Sequence, residues 1–212
     1  MDAEEKALWF ARADQLGDRW EMAFSKAERA FLSTPPEQLE DMQRAIREER
    51  DSTFVNCWTA SNSESHAMWN VYCDSSEGVA VQTTLRELKA SVKPLPVVPV
   101  KYMNFDRLGV TNPVPTAMDL VSRKRKPYSY EKEHRVISFK GPFPKGSLGN
   151  LSGGYRLGFG QRWDPEIHVE RVLLHPGADP ATLVAVKAVV EKLAPKLRLR
   201  VLPSALAELP ST

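Results

Sequence analysis

The chain has 212 residues, 42% hydrophobic and 26% charged, which suits one ordinary globular α+β domain, residues 1–212, with a core of its own. A formal net charge of +2 gives no overall pull toward nucleic acid or an anionic membrane, and no apolar stretch reaches the length of a membrane span. Cys57 and Cys73 lack CxxC spacing and read as free thiols, and the acidic start has no signal-peptide core, so a reduced cytoplasm is the expectation.

In chain order, Leu8 to Ala11 is a short apolar strand. Asp18 then caps a helix with Trp20, Phe24, Ala27 and Phe31 on one stripe. Thr34-Pro-Pro-Glu37 has capping-box spacing and opens a second helix to about Arg50. Its thin stripe of Leu39, Met42 and Ile46, with charge elsewhere, makes it a surface helix. Thr53 to Ala60 is a strand, and Ser61-x-x-Glu64 opens a helix carrying Met68, Trp69 and Tyr72. Val79 to Thr83 is a strand, and Thr84-x-x-Glu87 caps a short helix. Val97 to Tyr102 is extended, with Pro99 marking an edge or a bulge. Residues 104–117 are loop-like, and a short helix leads to the basic run Arg123-Lys-Arg-Lys126.

Tyr128 to Phe139 reads as a strand that places Glu131, Glu133 and Arg135 on one face, ahead of Ile137 and Phe139. Two carboxylates and a guanidinium in one row form either a site in a cleft or a set of ion pairs at a sheet edge. His134 falls on the opposite face, which excludes a Glu–His dyad within the strand. Residues 141–160 hold seven of the eleven glycines and read as a loop. Lys145-Gly-Ser147 inverts the order of a phosphate-binding P-loop, and no GxGxxG is present. At the C-terminus, Val169 to Leu174 is a strand. Asp179-Pro180 caps a helix with Leu183, Val186, Val190 and Leu193 on one stripe. Leu197, Leu199 and Val201 alternate with Arg198 and Arg200 as a half-buried strand. That strand–helix–strand order suits a crossover unit. The expected fold is a twisted, mostly antiparallel and split sheet flanked by helices, plus this unit.

Four segments in this order resemble the bacterial family called domain of unknown function 2971. They are Leu8-Trp-Phe-x-Arg12-x-Asp14 through Asp18-Arg-Trp-Glu21; Cys57-Trp-Thr59 with Met68-Trp69-x-x-Tyr72 and Gly78-Val-Ala-Val; Lys126 through Tyr130-Glu131-x-Glu133-x-Arg135; and Val172-Leu-Leu-x-Pro176-x-Ala178. Members of that family usually open with a further extended segment bearing aromatics and lysine; here the first strand comes at Leu8. The family name carries no activity.

Three readings remain open on the residues. In the first, the chain is similar to ADP-ribosyltransferases, whose split sheet carries Glu-x-Glu on a late strand. That likeness implies Glu133 as the carboxylate stabilising the ribosyl cation and Glu131 as its acceptor-positioning partner. It further implies Trp69 and Tyr72 stacking on nicotinamide and Arg12 anchoring NAD; Arg135, the third candidate catalytic residue, departs from that pattern, since it directly follows the Glu pair and can neutralise it. Cys57-Trp-Thr59, with Ser61 and Ser63, falls where such enzymes place a serine–threonine–serine strand. In the second reading, Arg123, Lys124, Arg125 and Lys126, with Tyr128 and Tyr130, contact nucleic acid. Its nuclease form has Glu131, Glu133, Asp18 and Glu21 holding a divalent ion, with Lys126 or Lys132 on the phosphate. In the third, the protein is a non-enzymatic interaction module. Asp18-Arg-Trp-Glu21 reads first as a helix start and gains a site role if the two acidic segments meet in space.

Overall fold

The computed structural model describes residues 6–33, 36–107, 114–139 and 157–207. Most of the glycine-rich stretch, with Lys145-Gly-Ser147, lies outside these residues, as do Thr34 and Pro35 of the expected cap. Within them the chain forms, in order, β1 (Ala7–Arg12), α1 (Lys26–Leu32), α2 (Pro36–Ser52), β2 (Thr53–Thr59), α3 (His66–Tyr72), β3 (Val79–Gln82), α4 (Leu85–Ser91), β4 (Val97–Pro99) and β5 (Lys101–Met103). There follow α5 (Ala117–Val121), β6 (Arg123–Arg125), β7 (Glu133–Phe139), β8 (Gly158–Arg162), α6 (Pro165–His168), β9 (Arg171–Leu174), α7 (Pro180–Leu193) and β10 (Val201–Leu202). The fold is α+β, with mostly antiparallel strands in open sheets. Among the described residues no helix is long and apolar enough to cross a membrane.

The chain divides into two compact units, one drawn from residues 8–60 and 94–161, the other from 61–93 and 162–212 with the start of the chain. The first holds a five-stranded sheet in the order β4-β7-β2-β1-β8 and a parallel pair, β5-β6. In the large sheet β7 lies antiparallel to both β2 and β4, with Ile137 opposite Val55, Arg135 opposite Cys57 and Val98, and Glu133 opposite Thr59. Directly opposed side chains share a face. One face therefore carries Val55 and Ile137, which pack with Met22, Phe24, Leu32, Leu120 and Val121 into the core. The other face carries Phe54, which meets Phe159 edge to face, while Phe159 stacks on Phe10. A Cβ at Gly158 would collide with the Phe10 carbonyl oxygen and the Trp9 ring, so glycine sets how closely β8 approaches β1.

The second unit holds the sheet β10-β9-β3. Here β9, α7 and the parallel β10 form the expected crossover. Asp179 caps α7 by accepting from the Thr182 N–H, and Thr84 caps α4 through the Glu87 N–H, both as the sequence predicts.

Several expectations are corrected. Asp18 does not start a long helix: α1 begins at Lys26, where Ser25 and Glu28 form a reciprocal capping box that outcompetes the earlier signal. Met22, at φ 56°, adopts a left-handed backbone that no helix could run through. The helix after β2 is capped by Ser65 rather than Ser61. Residues Pro195–Arg200 form a 3-10 helix led by proline, leaving only two residues for β10. Leu199 stands 88% exposed instead of alternating into the core. The strand expected from Tyr128 begins at Glu133. Lys126–Glu131 is a 3-10 turn with Pro127 at its start, closed by Lys132 in the left-handed region at φ 46°. Pro99 does lie on an edge strand, β4.

Candidate functional site

The face of β7 changes character along its length. Ile137 belongs to the core, Arg135 is fully buried, and Glu133 is 6% exposed. A buried guanidinium must have every donor engaged, and Arg135 does. It grips Glu21 with two parallel bonds of 2.8 Å, donates to Glu133 at 2.7 and 3.1 Å, and reaches the Val121 carbonyl at 2.7 Å. Glu21 comes from the turn between β1 and α1, so the two acidic segments do meet. β6 delivers a second cation. The Lys124 ammonium lies 2.6 Å from Glu131, 3.3 Å from Glu133 and 3.8 Å from Glu21. The Lys126–Glu131 turn, followed by left-handed Lys132, brings Glu131 and Glu133 to the same ammonium although they do not share a strand. The Glu133 backbone N–H donates to the Tyr102 hydroxyl of β5 at 2.8 Å.

Two further pairs flank this cluster. Arg123 and buried Glu28 are joined at 2.7 and 2.8 Å, with Glu28 also completing the α1 cap. Arg125 holds Asp18 at 2.7 and 2.9 Å and lies over the Tyr128 ring. Each is one acid against one base. The central group is not balanced: three carboxylates, Glu21, Glu131 and Glu133, meet two cations, Lys124 and Arg135.

The titration behaviour reflects burial set against the partner each group holds. Burial raises the Glu21 carboxyl above the ordinary range, and the Glu133 charge adds to it, against the pull of Arg135 and Lys124. Burial acts the same way on Glu133, but there Arg135 outweighs it and holds the carboxyl below the ordinary value. Arg135 and Lys124 are desolvated too, yet the surrounding carboxylates raise both. Burial sets the Glu21 direction, the Arg135 guanidinium sets that of Glu133, and the neighbouring carboxylates set those of the two cations. Cys57, on β2 opposite Arg135, is an exposed residue whose sulfur lies beside Glu133. Desolvation, then the Glu133 charge, push its thiol well up. Exposure and desolvation pull in different directions here, and the adjacent carboxylate decides the matter against the thiolate whatever the solvent access. Cys57 is thus no activated nucleophile.

No protein-family model, curated protein or solved structure matches this chain. The residues themselves must carry the functional argument.

The expected site residues fall in both units. Glu131, Glu133 and Arg135 converge. Arg12 does not join them: on β1 it pairs with Phe54, in the row on the opposite face from Glu133, and its guanidinium clasps Asp14 at 2.6 and 2.7 Å. Trp69 is a core side chain of the other unit, edge-on to His175 and donating to Glu64 at 3.1 Å. Tyr72 is 63% exposed in that same unit. The basic run is a strand, not a solvated loop, and Arg123, Lys124 and Arg125 all direct their charge at carboxylates; Lys126 is exposed. Among the described residues no group of three or more His, Cys, Asp or Glu is placed to hold a metal ion. Sequence reasoning missed Lys124 as the inward lysine, because alternation within a three-residue strand is too short a signal to orient it. Cys57 and Tyr102 were missed as neighbours of Glu133: the β2–β7 pairing brings the first there, and the second comes from β5 in a separate sheet.

Proposed function

We propose that the protein is an ADP-ribosyltransferase-like enzyme that cleaves NAD at the nicotinamide ribose, with Glu133 as the reacting carboxylate. The observation that carries this reading is the missing positive charge. Among the described residues, the cations within ion-pair distance of Glu21, Glu131 and Glu133 are Lys124 and Arg135. A buried acid excess is costly unless a cation completes it. Breaking the glycosidic C–N bond generates one: the bonding pair leaves with neutral nicotinamide, and the ribosyl carbon becomes oxocarbenium-like. Glu133, kept ionised and oriented by Arg135, supplies the fixed negative charge that this centre needs. Glu131 positions the acceptor, whose oxygen or nitrogen bonds to the ribosyl carbon as its proton passes to that carboxylate. Lys124, with 11% of its side chain exposed, is the most accessible of the five groups and swings aside to admit substrate.

One further feature supports the reading: the Cys57-Trp-Thr59 strand pairs directly beside the Glu133 strand. The nucleic-acid reading has less support, since Arg123, Lys124 and Arg125 direct their charge at carboxylates and only exposed Lys126 of the run is left for phosphate.

The test is release of nicotinamide from NAD, followed by chromatography. Wild-type protein should release it. Glu133→Gln should lose about 10²–10³-fold in rate, the usual cost of deleting one charge-stabilising group, while Glu131→Gln should keep hydrolysis to ADP-ribose and lose transfer to other acceptors. No release by folded wild-type protein, or equal rates for wild type and Glu133→Gln, would overturn the assignment.

A further inference from the structure

A second feature of the same unit shares Glu21 with the Glu133 cluster but does not rest on the transferase reading. The charged helix α2 presents Gln43, Ile46, Arg47 and Arg50 at i, i+3, i+4 and i+7, which is one face. That face looks into a cavity of about 170 Å³ whose far wall is the turn before α1, from Met22 to Phe24, together with Arg29. Three arginines therefore line one small space.

Their partners are unevenly distributed. Arg29 is fixed, donating to the Phe24 carbonyl at 2.5 Å and lying 5.3 Å from the Trp20 ring centroid. Arg47 and Arg50 have no carboxylate within ion-pair distance among the described residues, although the Arg50 charge reaches Asp14; the Nε of Arg50 is buried with no hydrogen-bond partner. Arg44 on the same helix provides the contrast: it projects away from the cavity, pairs with Asp41 at 2.5 Å and is a solvated surface arginine. Glu21 also borders the cavity, but both its oxygens are taken by Arg135. Met22, at the cavity wall, holds the left-handed backbone that L side chains rarely adopt, a conformation that persists only where surrounding structure enforces it. Two arginines without an ion-paired carboxylate among the described residues, sharing one cavity with a third, suit an anion.

We propose that this cavity is a binding site for a phosphoryl anion, held by Arg29, Arg47 and Arg50. Planar guanidinium forks match the oxygens of a phosphoryl group, and the Gln43 amide adds a neutral donor. Size sets the ligand: a cavity of about 150 Å³ accommodates benzene, so about 170 Å³ takes a phosphate or a pyrophosphate and not a whole dinucleotide. Met22, Phe24 and Ile46 give the space an apolar side, suited to the carbon portion of a phosphate ester.

The experiment is calorimetric titration of the full chain with inorganic phosphate, pyrophosphate and ADP at low salt, repeated on Arg47→Ala, Arg47→Lys and Arg44→Ala. Arg47 is exposed, so its loss leaves the fold intact. The expected result is millimolar or tighter binding, weakened about tenfold or more by Arg47→Ala, partly restored in Arg47→Lys and untouched by Arg44→Ala. Tighter binding of ADP than of pyrophosphate assigns the site to a nucleotide, and the reverse order assigns it to the free anion; either supports the site. No binding up to about 10 mM, or equal weakening by Arg44→Ala and Arg47→Ala, would overturn it. Pyrophosphate binding without nicotinamide release would leave this site standing and remove the transferase assignment. Release of nicotinamide without Arg47-dependent anion binding would do the opposite.

Discussion

At the scale of single residues, the ion pairs of this protein differ in what they contribute, and burial decides the difference. Arg123 and Glu28 are both buried and joined twice, so Arg123→Ala strands a carboxylate in the interior and should cost about 3–5 kcal/mol in denaturant unfolding. The Arg125 side chain is 36% exposed, so solvent screens its bond to Asp18, and Arg125→Ala should cost about 1 kcal/mol or less. Equal losses would show that burial is not what separates them. Cys57 offers a chemical readout of the Glu133 charge. With the carboxylate in place the thiolate is suppressed, so alkylation at neutral pH should be slow, and Glu133→Gln should accelerate it several-fold by mass spectrometry. An unchanged rate would mean that the Glu133 charge does not reach the sulfur.

At the scale of elements, what the sequence disclosed depended on how local the signal was. The caps of α4 and α7 are set by a side chain and an N–H three residues away, and both were legible. The same kind of signal misled at Asp18 and Ser61, where the competing caps Ser25 and Ser65 won because of backbone that only the tertiary structure imposes, left-handed Met22 among it. Alternation placed Glu133 and Arg135 correctly on one face. It could not show that Glu131 reaches the same ammonium by way of a 3-10 turn. Arg12 is the instructive miss: its strand was legible, but its face follows from the pairing of Ala11 with Val55 and Arg12 with Phe54, which no local pattern encodes. The β1–β8 contact gives a test at this scale. Gly158→Ala should destabilise by about 1–3 kcal/mol through overpacking against Phe10 and Trp9, read as a lower denaturant midpoint. An unchanged midpoint would show that β8 can draw back at no cost.

At the scale of the whole molecule, the buried charges make stability a function of pH. Asp18, Glu28 and Glu133 are held below their ordinary values of 3.8, 4.5 and 4.5, after burial and against it, by their arginine partners. A depressed carboxyl contributes stability that is fully present above the unfolded value and is lost as pH falls through the folded one. Melting temperature should therefore drop as pH falls below about 4.5, the ordinary range of free Asp and Glu. Glu133→Gln should make that drop shallower. Glu21 runs the other way: its raised value means that ionising it costs stability as pH climbs through that value, which partly offsets the others. The central claim is that the same acid excess awaits a cation formed from NAD, and the most direct measurement is the melting temperature of the wild type and of Glu133→Gln against NAD concentration. A ligand that binds only the folded state stabilises by about 2.7 kcal/mol at a hundredfold excess over Kd, or about 5–10 °C for a chain this size. The account predicts a concentration-dependent rise of that order in both proteins, with nicotinamide released by the wild type alone. No rise at millimolar NAD, with Glu133→Gln altering stability only, would contradict it.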